Sequence, residues 1–167
     1  IERAEQLGLA CRIIRRKDHA DTTAFSDAVF SAVRDAGGEL VCMAGFLSLL
    51  VIPEDFERRV MNIHPSLLPA FPGLRTHQRA LEAGVTRHGA SVHFVTPALD
   101  GGPVSAQAEV PVLPTDDVAQ LAARVLTAEH QLYPVVVQWF VSGRLSLNTR
   151  QQVVLDSDVL HEPVSWR

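Results

Sequence analysis

The chain has 167 residues, 47% hydrophobic and 20% charged, which suits one ordinary core and a single domain. A formal charge of −4 without blocks of like sign leaves no electrostatic footprint for nucleic acid or an anionic membrane, and the local cluster Arg12, Arg15, Arg16 and Lys17 reads as a solvated edge. No stretch approaches the roughly 18 apolar residues of a membrane span and the start has no signal-peptide layout, while Cys11 and Cys42, far apart and without metal-ligand spacing, fit a reduced, cytoplasmic setting.

Residues 2–8 read as the tail of a helix stopped by Gly8, and Leu9 to Ile14 as a short strand. Asp21 or Thr22 can cap the next helix, whose stripe of Phe25, Val29, Ala32 and Val33 ends at Gly37-Gly38. Leu40 to Ala44 is continuously apolar, the pattern of a strand covered on both faces. Gly45 to Leu50 then forms a loop at a strand's carboxyl end, before a helix start at Pro53-Glu54-Asp55. The apolar side chains of that loop are either plain core or the lining of a pocket for a flat ring.

In Val60 to His64 a period of two sends Val60, Asn62 and His64 to one face and Met61 and Ile63 to the other. Pro65 has no backbone donor, so the strand stops at His64 and leaves both polar side chains at its carboxyl end, the end where open α/β sheets bind ligands. A proline-punctuated loop from Pro65 to Gly73 leads to a helix over about 76–83, with Gly84 past its end. Ala90 to Val95 reads as a strand and Pro97 to Pro103 as a loop. Val104 to Val112 alternates strictly, which predicts a half-exposed strand at a sheet edge. Thr115-Asp116-Asp117 caps a long helix to about Ser142, with Leu121, Val125, Ala128 and Leu132 as its stripe and a bend at Pro134. The tail from Leu145 carries one candidate strand, Gln151 to Leu155. This order predicts an α/β fold, a doubly wound, mostly parallel sheet with helices on both faces.

The chemistry concentrates on three groups. His64 can exchange protons near neutral pH, and a carboxylate beside it fixes its tautomer and raises its basicity. Asp100, in a loop whose Gly101-Gly102 permits a tight turn, is the candidate partner. Asn62 offers an amide donor suited to an oxygen gaining negative charge during attack at a carbonyl. Taken singly, each has a plain structural reading: a backbone cap, a satisfied core histidine, a turn. The histidines lack the spacing of a metal site, so no metal is expected. No Gly-x-Ser-x-Gly elbow surrounds Ser66, which argues against a covalent nucleophile, and no Walker loop or Gly-x-Gly-x-x-Gly is present.

Asn62-Ile63-His64-Pro65-Ser66-Leu67-Leu68-Pro69, Gly73-Leu74-Arg75-Thr76-His77, His88 to Val95 and Leu99-Asp100-Gly101-Gly102-Pro103 together resemble the phosphoribosylglycinamide formyltransferases, a branch of the folate-dependent formyltransferases. The likeness runs to about Leu145. It implies transfer of a formyl group from 10-formyltetrahydrofolate to the amine of glycinamide ribonucleotide, in purine synthesis, with no metal. It further implies that Asn62 and His64 stabilise the oxyanion, and that Asp100, with an ordered water, orients His64 and relays the amine's proton. By the same resemblance Phe46, Leu47, Ser48, Leu49 and Leu50 wall the folate pocket with Val95, Thr96 and the segment to Asp100. Pro65 lies on the nucleotide side, and Glu129 binds the ribose.

Members of that family begin with a strand and a Gly- and Ser/Asn-rich phosphate loop that are not seen before Ile1. The expectation is therefore a single formyltransferase domain over residues 1–167, N-terminally incomplete, whose bare sheet flank would invite a second copy into a homodimer. No basic residue near Asp21 to Ala24 is available to meet the folate's glutamate tail. The alternatives are a formyltetrahydrofolate hydrolase using the same trio and a folate-binding remnant without activity.

Overall fold

The computed structural model describes residues 1–166. Helix α1 (Glu2–Gln6) ends at Gly8 in the left-handed region. Helix α2 (Thr22–Asp35) is capped by Asp21, whose carboxylate accepts the Ala24 N–H at 2.8 Å, and Gly37, with φ 67, terminates it. Its inward face is centred on Phe25 and Phe30 rather than on Val29 and Val33.

The principal sheet has the order β1 (Val41–Ala44), β2 (Val60–His64), β3 (Arg87–Phe94), β4 (Val104–Pro111) and β8 (Val164–Trp166). Pairs β1–β2 and β4–β8 are parallel, whereas β3 is antiparallel to both of its neighbours. Strand β3 thus runs against the common direction of the other strands in a parallel-rich sheet. Helix α3 (Thr76–Glu82) and the long helix α4 (Val118–Val141) complete the main body. Asp117 and Gln120 form a reciprocal capping box on α4. Asp116 is used differently, bound to the Leu113 N–H and to Arg124, which holds its carboxyl down to about 2. Helix α4 continues through Pro134 as one element to Val141.

The period of β2 separates two cores. Met61 and Ile63 join Ala90, Val92, Phe94 and the Leu121, Val125, Leu132 and Val136 stripe of α4, while Val60 joins Phe30 of α2 and Phe56 on the other face. The Phe30 and Phe56 rings lie 5.1 Å apart. Helices therefore cover both faces, and Asn62 and His64 belong to the α2 side of β2.

Several expectations need correction. Leu9 to Ile14 is not a strand: it pairs with none among the described residues, and Leu9 and Ile13 are exposed, since a strand exists only where a ladder partner accepts its backbone. Strand β1 is not covered on both faces, because Cys42 and Ala44 are exposed. Pro53-Glu54-Asp55 begins only a 3₁₀ turn, Glu54–Phe56. Strand β4 is not at an edge, because β8 lies beside it. Its polar side is also partly covered, with Ser105 fully buried. Strand β3 starts at Arg87, three residues earlier than its apolar run, because β4 pairs with it from Pro111 onward. The tail is richly structured, with β5 (Leu145–Leu147), β6 (Val153–Leu155) and β7 (Asp158–Val159) forming a small antiparallel sheet before β8 returns to the main one.

Candidate active site

Asn62 and His64 stand on the central strand β2, held by β1 on one side and β3 on the other. The register pairs Asn62 with His93 and His64 with Ser91, so four polar side chains occupy adjacent rows of one face. The loop after β3 brings in the carboxylate. Phe94 N–H donates to the Pro103 carbonyl at 3.0 Å and Gly101 N–H to the Ala98 carbonyl at 3.1 Å, which turns the chain back tightly. At Gly102 a Cβ would run into the Phe94 carbonyl, so only glycine allows this return. Asp100 itself is left-handed, φ 48, a conformation aspartate tolerates better than most residues.

The Asp100 side chain is 10% exposed and the His64 side chain 7%. Asp100 Oδ2 accepts the Gly73 N–H at 2.8 Å and lies 3.5 Å from His64 Nδ1; Oδ1 lies 3.8 Å from His93 Nε2. Both imidazole distances exceed an ordinary hydrogen bond. His64 Nε2 donates to the Phe71 carbonyl at 3.0 Å. The two ring nitrogens thus face two oxygen acceptors, the Phe71 carbonyl and the Asp100 carboxylate.

His93 was absent from the candidates and is the residue that orders Asn62. Its Nδ1 contacts the Phe94 carbonyl at 3.0 Å, and because a carbonyl only accepts, the proton sits on Nδ1. Nε2 is then an acceptor, and it takes the Asn62 Nδ2–H at 3.2 Å. Burial lowers the His93 pKa, which keeps the ring in this neutral form. The signal for His93 lay in the alternation of β3, but its role required the pairing register. His88, fully buried and 3.3 Å from His77, is pushed down to about 4 by burial, then by His77 and His64.

Asn62, His93 and Asp100 head a cavity of about 660 Å³, the size of a pocket for a mid-sized organic ligand. Its walls are apolar loops around a polar head. Residues 1–137 match the formyl transferase family. Phosphoribosylglycinamide formyltransferase of Escherichia coli is 43% identical over 150 residues, covering 89% of this chain and 71% of the relative. The chain belongs to the formyl transferase family.

The Haemophilus influenzae phosphoribosylglycinamide formyltransferase is 39% identical, over 87% of this chain and 69% of its own length. The solved phosphoribosylglycinamide formyltransferase of Coxiella burnetii superposes with a TM-score of 0.92 at 38% identity, covering 99% of this chain and 79% of that one. In this formyl transferase chain, Phe46, Ser48, Leu49, Leu50, Val95 and Thr96 all line the cavity. Leu47 does not, and it is 82% exposed. His64 is not on the wall but directly behind Asp100. Pro65 is half-buried beside His64. Glu129, half-buried on α4, lies outside the cavity, and burial raises its pKa. The cavity also reaches Arg58, Leu147 and Gln151, residues with no functional signal in the sequence.

Proposed function

We propose that this chain transfers the formyl group of 10-formyltetrahydrofolate to the primary amine of glycinamide ribonucleotide, a folate-dependent step of purine biosynthesis. The observation that carries the reading is the grouping of Asn62, His93 and Asp100 at the head of an apolar cavity, with His64 next to Asp100, in a chain whose relatives carry that activity in their names.

The amine nitrogen attacks the formyl carbon, and the carbonyl pair moves to oxygen. The Asn62 amide, aligned by His93, and the His64 imidazole stabilise that oxyanion; loss of one such donor typically costs about a hundred- to a thousandfold in rate. Asp100 takes the ammonium proton and passes it to the folate nitrogen as the carbon–nitrogen bond breaks, leaving formylated amine and tetrahydrofolate. No covalent enzyme intermediate is required. Phe46, Ser48, Leu49, Leu50, Val95 and Thr96 hold the folate ring, and Pro65 and Glu129 serve the nucleotide. The free thiols of Cys11 and Cys42 suit a cytoplasmic setting.

A spectroscopic assay of the folate cosubstrate with and without glycinamide ribonucleotide tests this directly. Release of tetrahydrofolate is expected only when the amine is present. Equal release without it would overturn transfer in favour of hydrolysis.

A further inference from the structure

Gln107 is expected from alternation to share a solvated face with Ser105 and Glu109. Glu109 does face outward, paired with Arg87 at 3.1 Å. Gln107 does not. The ladder pairs His64 with Ser91 and Ser91 with Gln107, so one cross-strand row leads from β4 to the imidazole.

The loop after His64 folds back over this row. Gln107 Nε2 donates to the Leu68 carbonyl at 2.8 Å and to Ser91 Oγ at 2.9 Å. Ser91 Oγ donates to the Ser66 carbonyl at 2.7 Å and accepts the Leu68 N–H at 3.0 Å. Both amide hydrogens of Gln107 are used, and the Ser91 hydroxyl is saturated. Ser66 Oγ continues the turn by donating to the Ala70 carbonyl at 2.6 Å. The loop then delivers two backbone groups to the site: the Phe71 carbonyl to His64 Nε2 and the Gly73 N–H to Asp100 Oδ2. Phe71 holds a left-handed φ of 53, a conformation unfavourable for a bulky residue and maintained only by surrounding structure.

We propose that Gln107 is a positioning residue for formyl transfer: through Leu68 it fixes the loop whose Phe71 carbonyl and Gly73 N–H orient His64 and Asp100. This rests on the assignment of His64 to catalysis made above. Gln107 lies outside the cavity wall, so its removal alters the alignment of the catalytic groups and leaves the contacts of the cavity lining in place.

Gln107→Met keeps length and bulk but loses both donors; Gln107→Glu keeps shape and replaces the donors by acceptors. Each is expected to lower kcat about ten- to a hundredfold, since misplacement of a reacting group by about 1 Å can cost about a hundredfold, while KM for folate stays within about twofold. The His64 ring N–H resonance should move upfield as its bond to the Phe71 carbonyl lengthens. Unchanged kcat in a folded Gln107→Met protein would overturn the proposal, as would a loss confined to KM or to thermal stability. His64→Asn in parallel separates the two readings. If it abolishes turnover while Gln107→Met does not, only the positioning role fails; if it leaves turnover intact, the catalytic assignment fails as well.

Discussion

The head of the cavity and its apolar wall are built by opposite means. At the head, Asn62, His93 and Asp100, with His64 behind them, are buried or half-buried, and each has polar contacts from a strand or a pinned loop. Along the wall, residues 45–52 carry no helix or strand; Leu49 and Val51 are exposed, and an anchoring hydrogen bond is Val51 N–H to Ser26 Oγ at 2.8 Å. Buried polar groups must be satisfied, and satisfying them fixes geometry. Apolar contacts are non-directional, so a loop held mainly by them adapts to a ring without misaligning the reacting groups.

That contrast can be broken at the head first. Asp100→Asn should lower kcat/KM by about a thousandfold or more, within the range for loss of a proton-transferring group, with an unchanged circular dichroism spectrum; near-normal rates would remove Asp100 from proton relay. Asn62→Ala is expected to cost about a hundred- to a thousandfold in kcat with little change in KM for folate. If KM rises instead, Asn62 binds the ground state rather than the oxyanion.

The buried histidines near the head add a pH signature. The pKa of His88 is about 4 in the folded protein against an ordinary 6.5, so the unfolded chain binds the proton more tightly. Its contribution to stability is complete above about pH 6.5 and is lost as the pH falls toward 4. His88→Gln should flatten that slope in denaturation curves measured across the interval.

Effects on the wall should be smaller and of another kind. Ser26→Ala frees Val51 and should raise KM for folate about threefold, leaving kcat unchanged, with about 1 kcal/mol lost in urea unfolding. A fall in kcat would show that the loop is coupled to the head. Leu47→Ser, at an exposed position off the cavity, should shift neither constant by more than about twofold, the usual range for such surface changes.

Alternation in Val60–His64 and the missing donor of Pro65 were enough to define a strand, its end and the common face of Asn62 and His64, and β2 has those bounds. The Asp21 and Asp117 caps and the terminators Gly37 and Gly84 were equally legible, because capping and left-handed glycine act over a few residues. The family motifs likewise lie in short segments that keep their spacing.

Tertiary structure decided everything that depends on a partner distant in the chain. Leu9 to Ile14 has strand composition but pairs with nothing among the described residues, whereas Arg87 to Gly89 lacks an apolar run and is strand because β4 lies against it. His93 and Gln107 look like unremarkable members of alternating runs. Register sets the first beside Asn62, and a folded-back loop turns the second inward. Local sequence encodes period, caps and breaks; which rows of two strands face each other is determined by packing across dozens of residues, and in this chain the order of the polar groups around the cavity head comes from that pairing.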